Sequence, residues 1–300
     1  MLASAAQPIW WELPPGAPAL KALHRELIAR GQLGSPPEIT MRLIAMVDGD
    51  TSIRDIAALI ARDAVLTASI LRLANSVMYA VRHRVVSIPE AARQLGLARV
   101  REVAIALSLW NRVEAPHTPG RAIRLALWTH ASGVAVASRV LAEAAGLPGN
   151  DAYEAYTAGL LHDVGVLLLG FHFGASYWAL IGSSPDGPVL VGREEEAFGC
   201  HHATVGAWLL EHWSLPMSLI AAVGMHHAPG VARAGKGLAP FVAVAETLVE
   251  ALDAGSTLDD PRIADAVQQV APAPFTVAQR NELVATIAGE RAAISSLFSR

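Results

Sequence analysis

The sequence has little cysteine, little charge and no clear β-strand pattern, and each shortage excludes a class of protein. Its one cysteine, Cys200, excludes an internal disulfide framework and is typical of a reducing compartment, so we expect a cytoplasmic protein. Charged residues make up 17% of the chain and the net charge is -4, which argues against a binder of nucleic-acid phosphates. No run alternates strictly between apolar and polar residues, which argues against a sheet.

Targeting and membrane-spanning patterns are also missing. Residues 1–8 lack the basic and apolar regions of a signal peptide. The longest apolar stretch, Ala158–Gly182, is interrupted by His162, Asp163 and His172, and an uncompensated carboxylate opposes insertion into lipid. We therefore expect buried helices and no membrane partner.

What remains is a long, apolar and helix-patterned chain. Its 300 residues are 53% hydrophobic, enough for a large core and long for one domain. The proline- and glycine-rich segment 115–120 is the clearest internal break. The sequence therefore predicts an all-α protein with two helical lobes. The predicted divisions are an N-terminal extension (1–32), an N-terminal lobe (33–116), a second lobe (117–252) and a C-terminal helical extension (253–300).

Capping residues and apolar periodicity place the individual helices. Ser or Thr at 51–52, Asp63 or Thr67, and Ser87 are typical N-caps. Prolines at 36–37 and 89 suit the first turn of a helix. The other predicted helices are 17–30, 100–110, 121–145, 151–169, 194–212, 216–226, 240–252, one near residue 263 and one from about 276 to the end. Residues 183–192 and 230–237 are predicted loops.

A histidine followed by an aspartate inside an apolar run is the most informative local feature. Burying His162 beside Asp163 is costly unless each has a partner, and a divalent metal is a common partner for that pair. Imidazole and carboxylate ligands suit Fe, Mn, Zn or Mg, in a mononuclear or dinuclear site that helices can build together. Further candidate ligands lie on other predicted helices: His130, His202, His226, His227 and Glu246. Spacing alone does not establish that they converge, so the alternative is a set of ordinary core histidines without metal.

The remaining histidines and the cysteine have simpler interpretations. We expect His24, His83, His172 and His212 to be core or surface residues, and His117 to be solvated. Cys200 is a candidate ligand or nucleophile, but a small buried side chain is the simpler prediction.

Several motifs in one order resemble the HDOD family (HD-related output domain), a branch of the HD superfamily of metal-dependent phosphohydrolases. The resemblance covers about residues 33 to 252. The segments that carry it are 35–39, 60–76, 91–100, 130 with 162–163, 202–210 and 215–229.

The resemblance implies an all-α domain of bacterial signalling, often without catalysis. Relatives of the HD-GYP family, which hydrolyse cyclic di-GMP, use a comparable series of ligands, with an aspartate where this chain has Glu246. Active relatives also carry a phosphate-contacting lysine at the position of Val166, and a Gly-Tyr-Pro loop where this chain has residues 228–237. Arg233 and Lys236 of that loop offer charge instead, or are simply solvated.

Three functions follow from these expectations. The favoured one is a regulatory output module with a metal-capable HD site and weak or no catalysis. The alternative is a metal-dependent phosphohydrolase acting on a nucleotide or cyclic dinucleotide, in which Asp163 is the central catalytic ligand and two metal ions clamp the phosphate. The third is a purely structural helical protein.

Partner expectations follow from the same features. We expect a signalling protein partner and, as a second ligand, a nucleotide or cyclic dinucleotide. Adjacent tryptophans, Trp10-Trp11, favour association with a groove of the same chain or of a homodimer partner. DNA binding ranks last because the arginines of the N-terminal lobe are scattered among apolar positions.

Overall fold

All the regular structure is helical in the part of the chain that the computed structural model describes. That part comprises residues 23–26, 38–46, 52–76, 83–110, 121–183, 187–228, 237–256, 260–270 and 276–295. The all-α prediction is confirmed. The predicted lobe boundary at 115–120, the Trp10-Trp11 pair, His117 and most of the loop 228–237 lie outside the described residues.

The N-terminal helices begin where local capping chemistry places them. Ser52 forms a capping box with Asp55, and the Asp63 carboxylate accepts hydrogen bonds from the backbone N–H groups of Val65 and Leu66. Ser87 caps the next helix, which has proline in its first turn. These helices are α1 (Glu38–Ala45), α2 (Ile53–Ile60), α3 (Ala64–Ala74), α4 (Ile88–Leu95) and α5 (Leu97–Trp110).

The longer C-terminal part packs around helix α6. Helix α6 contacts α7, α13 and α15, while α11 packs on α8 and α12. Contacts between α5 and α7 join this part to the N-terminal helices, and the buried apolar residues of both parts form one contiguous core. The elements are α6 (Arg121–Ala144), α7 (Gly149–Leu161), α8 (Val164–Phe173), α9 (Ala175–Gly182), α10 (Gly187–Phe198), α11 (His202–His212), α12 (Met217–Met225), α13 (Ala239–Asp253), α14 (Pro261–Val270) and α15 (Val277–Ser295).

Three predictions about this part were wrong. The single helix predicted over 151–169 is two helices, α7 and α8, separated by His162 and Asp163. The loop predicted over 183–192 ends early because α10 begins at Gly187, with Pro188 in its first turn, where proline is favourable. The helix predicted over 194–212 is interrupted at Gly199, whose φ of 75° is in the left-handed region that glycine tolerates.

Within the described residues, two apolar stretches are long enough to cross a membrane but are mostly buried inside the fold. They are Ala122–Ala144 and Asp151–Phe173, with 61% and 72% of their most apolar windows buried. The second is also interrupted by the turn between α7 and α8. Burial against other helices accounts for their apolar character.

Candidate metal centre

Seven side chains with metal-ligand chemistry converge where several helices begin or end. His130 lies in α6, His162 and Asp163 form the α7–α8 turn, and His202 opens α11. His226 and His227 directly follow α12, and Glu246 lies within α13. All the residues predicted as ligands from the sequence are therefore brought together. This set, here called the histidine cluster, is His130, His162, Asp163, His202, His226, His227 and Glu246.

The Asp163 carboxylate is at the centre of the histidine cluster. Its Oδ2 lies 3.4 Å from Nε2 of His162 and 3.9 Å from Nε2 of His130. Its Oδ1 lies 3.3 Å from Nε2 of His202 and 4.0 Å from Nε2 of His226. The Asp163 side chain keeps 21% of its surface exposed, so solvent reaches the cluster there. An aspartate with four imidazoles around it is the arrangement expected of a shared metal ligand.

Two buried histidines each leave one ring nitrogen without a hydrogen bond. Nδ1 of His162 lies 2.8 Å from the carbonyl oxygen of Gly159, and Nδ1 of His226 lies 2.6 Å from that of Val223. In both rings the opposite nitrogen, Nε2, is buried and has no hydrogen-bond partner. A ring that donates from Nδ1 to a backbone carbonyl presents the lone pair of Nε2, which is the usual state of a metal-ligating histidine. The residues present therefore fit a divalent metal ion.

His202 is oriented by two residues that the sequence analysis missed. The Glu194 carboxylate lies 2.7 Å from His202 Nδ1 and accepts the His202 backbone N–H at 2.9 Å. The Tyr177 hydroxyl donates to the other oxygen of the same carboxylate. Glu194 stands in a run of three glutamates that is typical of a solvated surface, so no local signal separates it from Glu195 and Glu196. Only the tertiary structure, which buries Glu194 beside the first residue of α11, makes it a partner of His202.

The ligand atoms form three overlapping groups. They are His130 with His162 and Asp163; His162 with His226 and Glu246; and His202 with His226 and His227. Within each group the atoms lie within 4.8 Å of one another. Because the groups share members, they offer neighbouring positions for one or two ions.

Burial and mutual repulsion keep several of the imidazoles neutral. Burial, reinforced by the charge of His162, lowers the pKa of His130 to about 4. Burial, reinforced by His202, lowers the pKa of His227 to about 3, and burial with His227 beside it lowers that of His226 well below its usual value. Neutral imidazole is the form that binds metal, so these rings need not lose a proton.

Two other members of the histidine cluster, His162 and Glu246, hold their protons more tightly than usual. Burial opposes charge on His162, but the Asp163 carboxylate outweighs it and raises the pKa of His162 to about 9. Burial raises the pKa of Glu246 to about 8, although His162 acts in the opposite direction. Metal binding therefore competes with protons at these positions.

Close backbone packing holds the α7–α8 turn against α11. A Cβ added at Gly165 would collide with the backbone carbonyl of His202. Only glycine permits this approach, which brings Asp163 within 3.3 Å of His202 Nε2.

The other predicted residues fall outside the histidine cluster. His83 and His212 are exposed, His172 is half-buried, and His24 contacts the edge of Trp208. Cys200 is 6% exposed and burial raises its thiol pKa to about 12, in agreement with a small buried side chain. Val166, at the position of the relatives' lysine, is buried in the core.

Comparison with known proteins identifies the family and the shared fold of this chain. The family model for the HDOD domain matches residues 33–229. An HDOD domain protein of unknown function from Geobacter sulfurreducens is 26% identical, with a TM-score of 0.72 over 93% of this chain and 98% of that one. A provisionally named phosphohydrolase from Shewanella amazonensis is 23% identical, with a TM-score of 0.70 over 91% of this chain and 98% of that one, which shows the shared fold alone.

An uncharacterised protein of Treponema pallidum is 26% identical over 225 residues, which is 72% of this chain. The match spans 42% of that protein's length. The family model covers most of the chain. This chain belongs to the HDOD domain family.

Proposed function

We propose that this protein is a cytoplasmic regulatory module of bacterial signalling whose histidine cluster binds a divalent metal ion, with weak or no catalysis. The observation that carries the proposal is the convergence of buried imidazole nitrogens on the Asp163 carboxylate, among them Nε2 of His226, which has no hydrogen-bond partner. Leaving that acceptor unsatisfied costs free energy in a metal-free fold, and a metal ion removes that cost.

Each member of the cluster has a distinct task in this proposal. Asp163, His162 and His226 would hold the metal, with the two histidine rings oriented by backbone carbonyls. Glu194 fixes the ring orientation of His202, and Tyr177 in turn fixes Glu194. When bound, a divalent ion supplies Lewis acidity that polarises a phosphoryl oxygen or water.

Weak catalysis is proposed because, among the residues that the structure describes, no lysine or arginine supplies the positive charge that would hold a substrate phosphate at the histidine cluster. Val166 replaces the lysine of active relatives and is buried. Among the described residues, neither Asp163 nor Glu246 has an ion pair with lysine or arginine. Within the described part of the chain, only the metal would then stabilise the charge of a phosphodiester at this site.

Regulation in this proposal works through a population shift. A metal or nucleotide bound at the histidine cluster biases the packing of the N-terminal helices, and a signalling protein partner binds one packing better than the other. This requires different ligand affinities in the two states.

Homodimer formation remains a further prediction, tested by light scattering.

The first test is the metal content of protein purified without chelator, measured by plasma mass spectrometry. Wild type is expected to retain stoichiometric Fe, Mn or Zn, or to take up an ion, including Mg, after anaerobic loading. His162→Ala should lose the metal, while His83→Ala, an exposed histidine outside the cluster, should keep it. Absence of metal after loading would overturn the proposal.

The second candidate function is a metal-dependent phosphohydrolase acting on nucleotide or cyclic dinucleotide phosphodiesters. The observation in its favour is the complete set of seven convergent ligands with Asp163 partly exposed. Sustained turnover of a cyclic dinucleotide by metal-loaded wild type, lost in Asp163→Asn, would replace the regulatory proposal. Metal binding without turnover, together with partner capture that differs between wild type and His162→Ala, would support regulation.

A further inference from the structure

A separate cavity lies between the N-terminal helices and the part of the protein that carries the histidine cluster. It has a volume of about 250 Å³ and is bounded by α1, α5, α7 and the segment that leads into α12. Its walls are mostly apolar, from residues such as Met41, Ile44, Ile105, Leu215 and Leu219. None of the histidine-cluster residues lines it.

Arg101 is the cation in the lining of this cavity, and it is almost fully buried. Arg101 is only 7% exposed, and its guanidinium carbon lies 3.9 Å from the centroid of the Tyr153 ring. The guanidinium donates a hydrogen bond to the backbone carbonyl of Met46. Across the described ranges, no carboxylate lies within ion-pair distance of it. Among the described lining residues the acidic side chain is Glu154, which accepts a hydrogen bond from the Ser218 hydroxyl at 2.6 Å.

Arg99, a nearby arginine on the same helix, is paired with carboxylates. Arg99 lies 3.0 Å from Glu102 and also pairs with Glu290. Burying a guanidinium without a counter-ion is unfavourable, and contact with one ring face and one carbonyl compensates only part of the cost. Arg101 therefore has a positive charge and donor capacity available to an anion that enters the cavity.

We infer that this cavity binds a small organic anion, a carboxylic acid with an apolar or aromatic body. The carboxylate would pair with the Arg101 guanidinium, and the apolar walls would cover the body of the ligand. The volume is below the roughly 300 Å³ at which pockets for drug-sized ligands begin, so a single ring or a short chain is the appropriate size.

Occupation of this cavity would link the two parts of the protein. The ligand would contact α1 and α5 on one side and α7 on the other, and α7 leads directly into the His162-Asp163 turn. Such an anion site would provide an input to the proposed regulatory module. The binding site itself does not depend on metal at the histidine cluster, so the two proposals fail separately.

The test is calorimetric titration of the full chain with benzoate and with benzamide, its neutral isostere. Benzoate is expected to bind saturably at millimolar concentrations or below, and benzamide about tenfold more weakly or worse. Arg101→Met keeps the apolar stem and removes the charge, so it should weaken benzoate binding by about tenfold or more. Arg42→Met, an exposed arginine on α1 outside the lining, should leave it unchanged.

A second variant keeps the experiment decisive if Arg101→Met folds poorly. Ile44→Phe adds volume to the half-buried wall while retaining Arg101, and it should also block benzoate. The inference is overturned if wild type shows no saturable benzoate binding, or if binding survives in both cavity variants. Inorganic phosphate binding as tightly as benzoate would also overturn it, because the apolar body would then contribute nothing. His162→Ala should bind benzoate normally whether or not it retains metal.

Discussion

The protein buries two clusters of ionisable side chains, and they satisfy their charges in different ways. The histidine cluster lies at the meeting point of α6, α8, α11, α12 and α13. A second cluster, here called the ion-pair cluster, joins α5, α6 and α15 and consists of Arg99, Glu102, Arg139, Glu143 and Glu290.

Within the ion-pair cluster every charge has an opposite charge beside it. Arg139 lies 3.3 Å from Glu102, 2.7 Å from Glu143 and 2.5 Å from Glu290. Burial alone would lower the pKa of Arg139, but the three carboxylates raise it above its ordinary value. The histidine cluster, in contrast, has four imidazoles within 4.0 Å of the single Asp163 carboxylate, and Nε2 of His226 is buried without a hydrogen-bond partner. A cluster in which guanidinium and carboxylate groups pair is structural, whereas one in which imidazole nitrogens converge on a carboxylate is suited to a ligand.

The largest expected effect is a loss of stability when the ion-pair cluster is broken. Glu102→Gln leaves Arg99 and Arg139 buried with fewer counter-ions, so the free energy of unfolding should fall by about 3–5 kcal/mol. Urea unfolding of the purified protein measures it. Glu143→Gln is the control, because that side chain is 52% exposed and should cost less than about 1 kcal/mol. Equal losses in the two variants would contradict the structural role of Glu102.

The next effect concerns the backbone contact that builds the histidine cluster. Gly165→Ala places a methyl group against the His202 carbonyl, and overpacking of this kind costs about 1–3 kcal/mol. Metal content should fall with it, because the turn carrying Asp163 must move away from His202. Gly192→Ala is the matched control: its added methyl meets nothing in α10, so stability should rise by about 0.5–1 kcal/mol. A Gly165→Ala protein with normal stability and metal would show that the contact is unnecessary.

A smaller effect sharpens the distinction between ligand and orienting residue. Glu194→Gln should weaken metal affinity by about 10–100-fold through the altered orientation of His202. Competition with a coloured chelator measures the affinity. Glu196→Gln, an exposed neighbour in the same run, should leave it unchanged. An unaltered metal affinity in Glu194→Gln would show that Glu194 contributes to packing but does not orient His202 for the metal.

A separate expected effect is the pH dependence of the metal-free protein. Lowered pKa values keep His130, His226 and His227 neutral when folded, so their contribution is present above pH 6.5 and is lost as the pH falls below it. Raised pKa values act in the opposite direction: the contribution of His162 is lost as the pH rises from 6.5 to about 9, and that of Glu246 as it rises from 4.5 to about 8.

Together these shifts predict a maximum in the free energy of unfolding near pH 6.5, measured by urea unfolding of chelator-treated protein. His162→Ala should decline less on the alkaline side of the maximum. A flat profile from pH 5 to 8 would show that the folded cluster exchanges no net protons with solvent on unfolding.

Local signals in the sequence predicted much of the fold because they act within a few residues. Ser52, Asp63 and Ser87 cap helices that begin beside them. The errors arose where an apolar pattern continued through a break, as at His162-Asp163 and at Gly199. Helical periodicity does not reveal such a break when both sides of it are buried.

The sequence by itself determined the helical class, the family resemblance and the residue types of the candidate ligands, because capping, periodicity and motif order are local or linear properties. Only the tertiary structure decided that these ligands converge, that Glu194 orients His202, and that Arg101 lines a cavity without a carboxylate partner among the described residues. These features depend on which helices pack together across distant positions, and packing sets burial and therefore the cost of each unpaired charge.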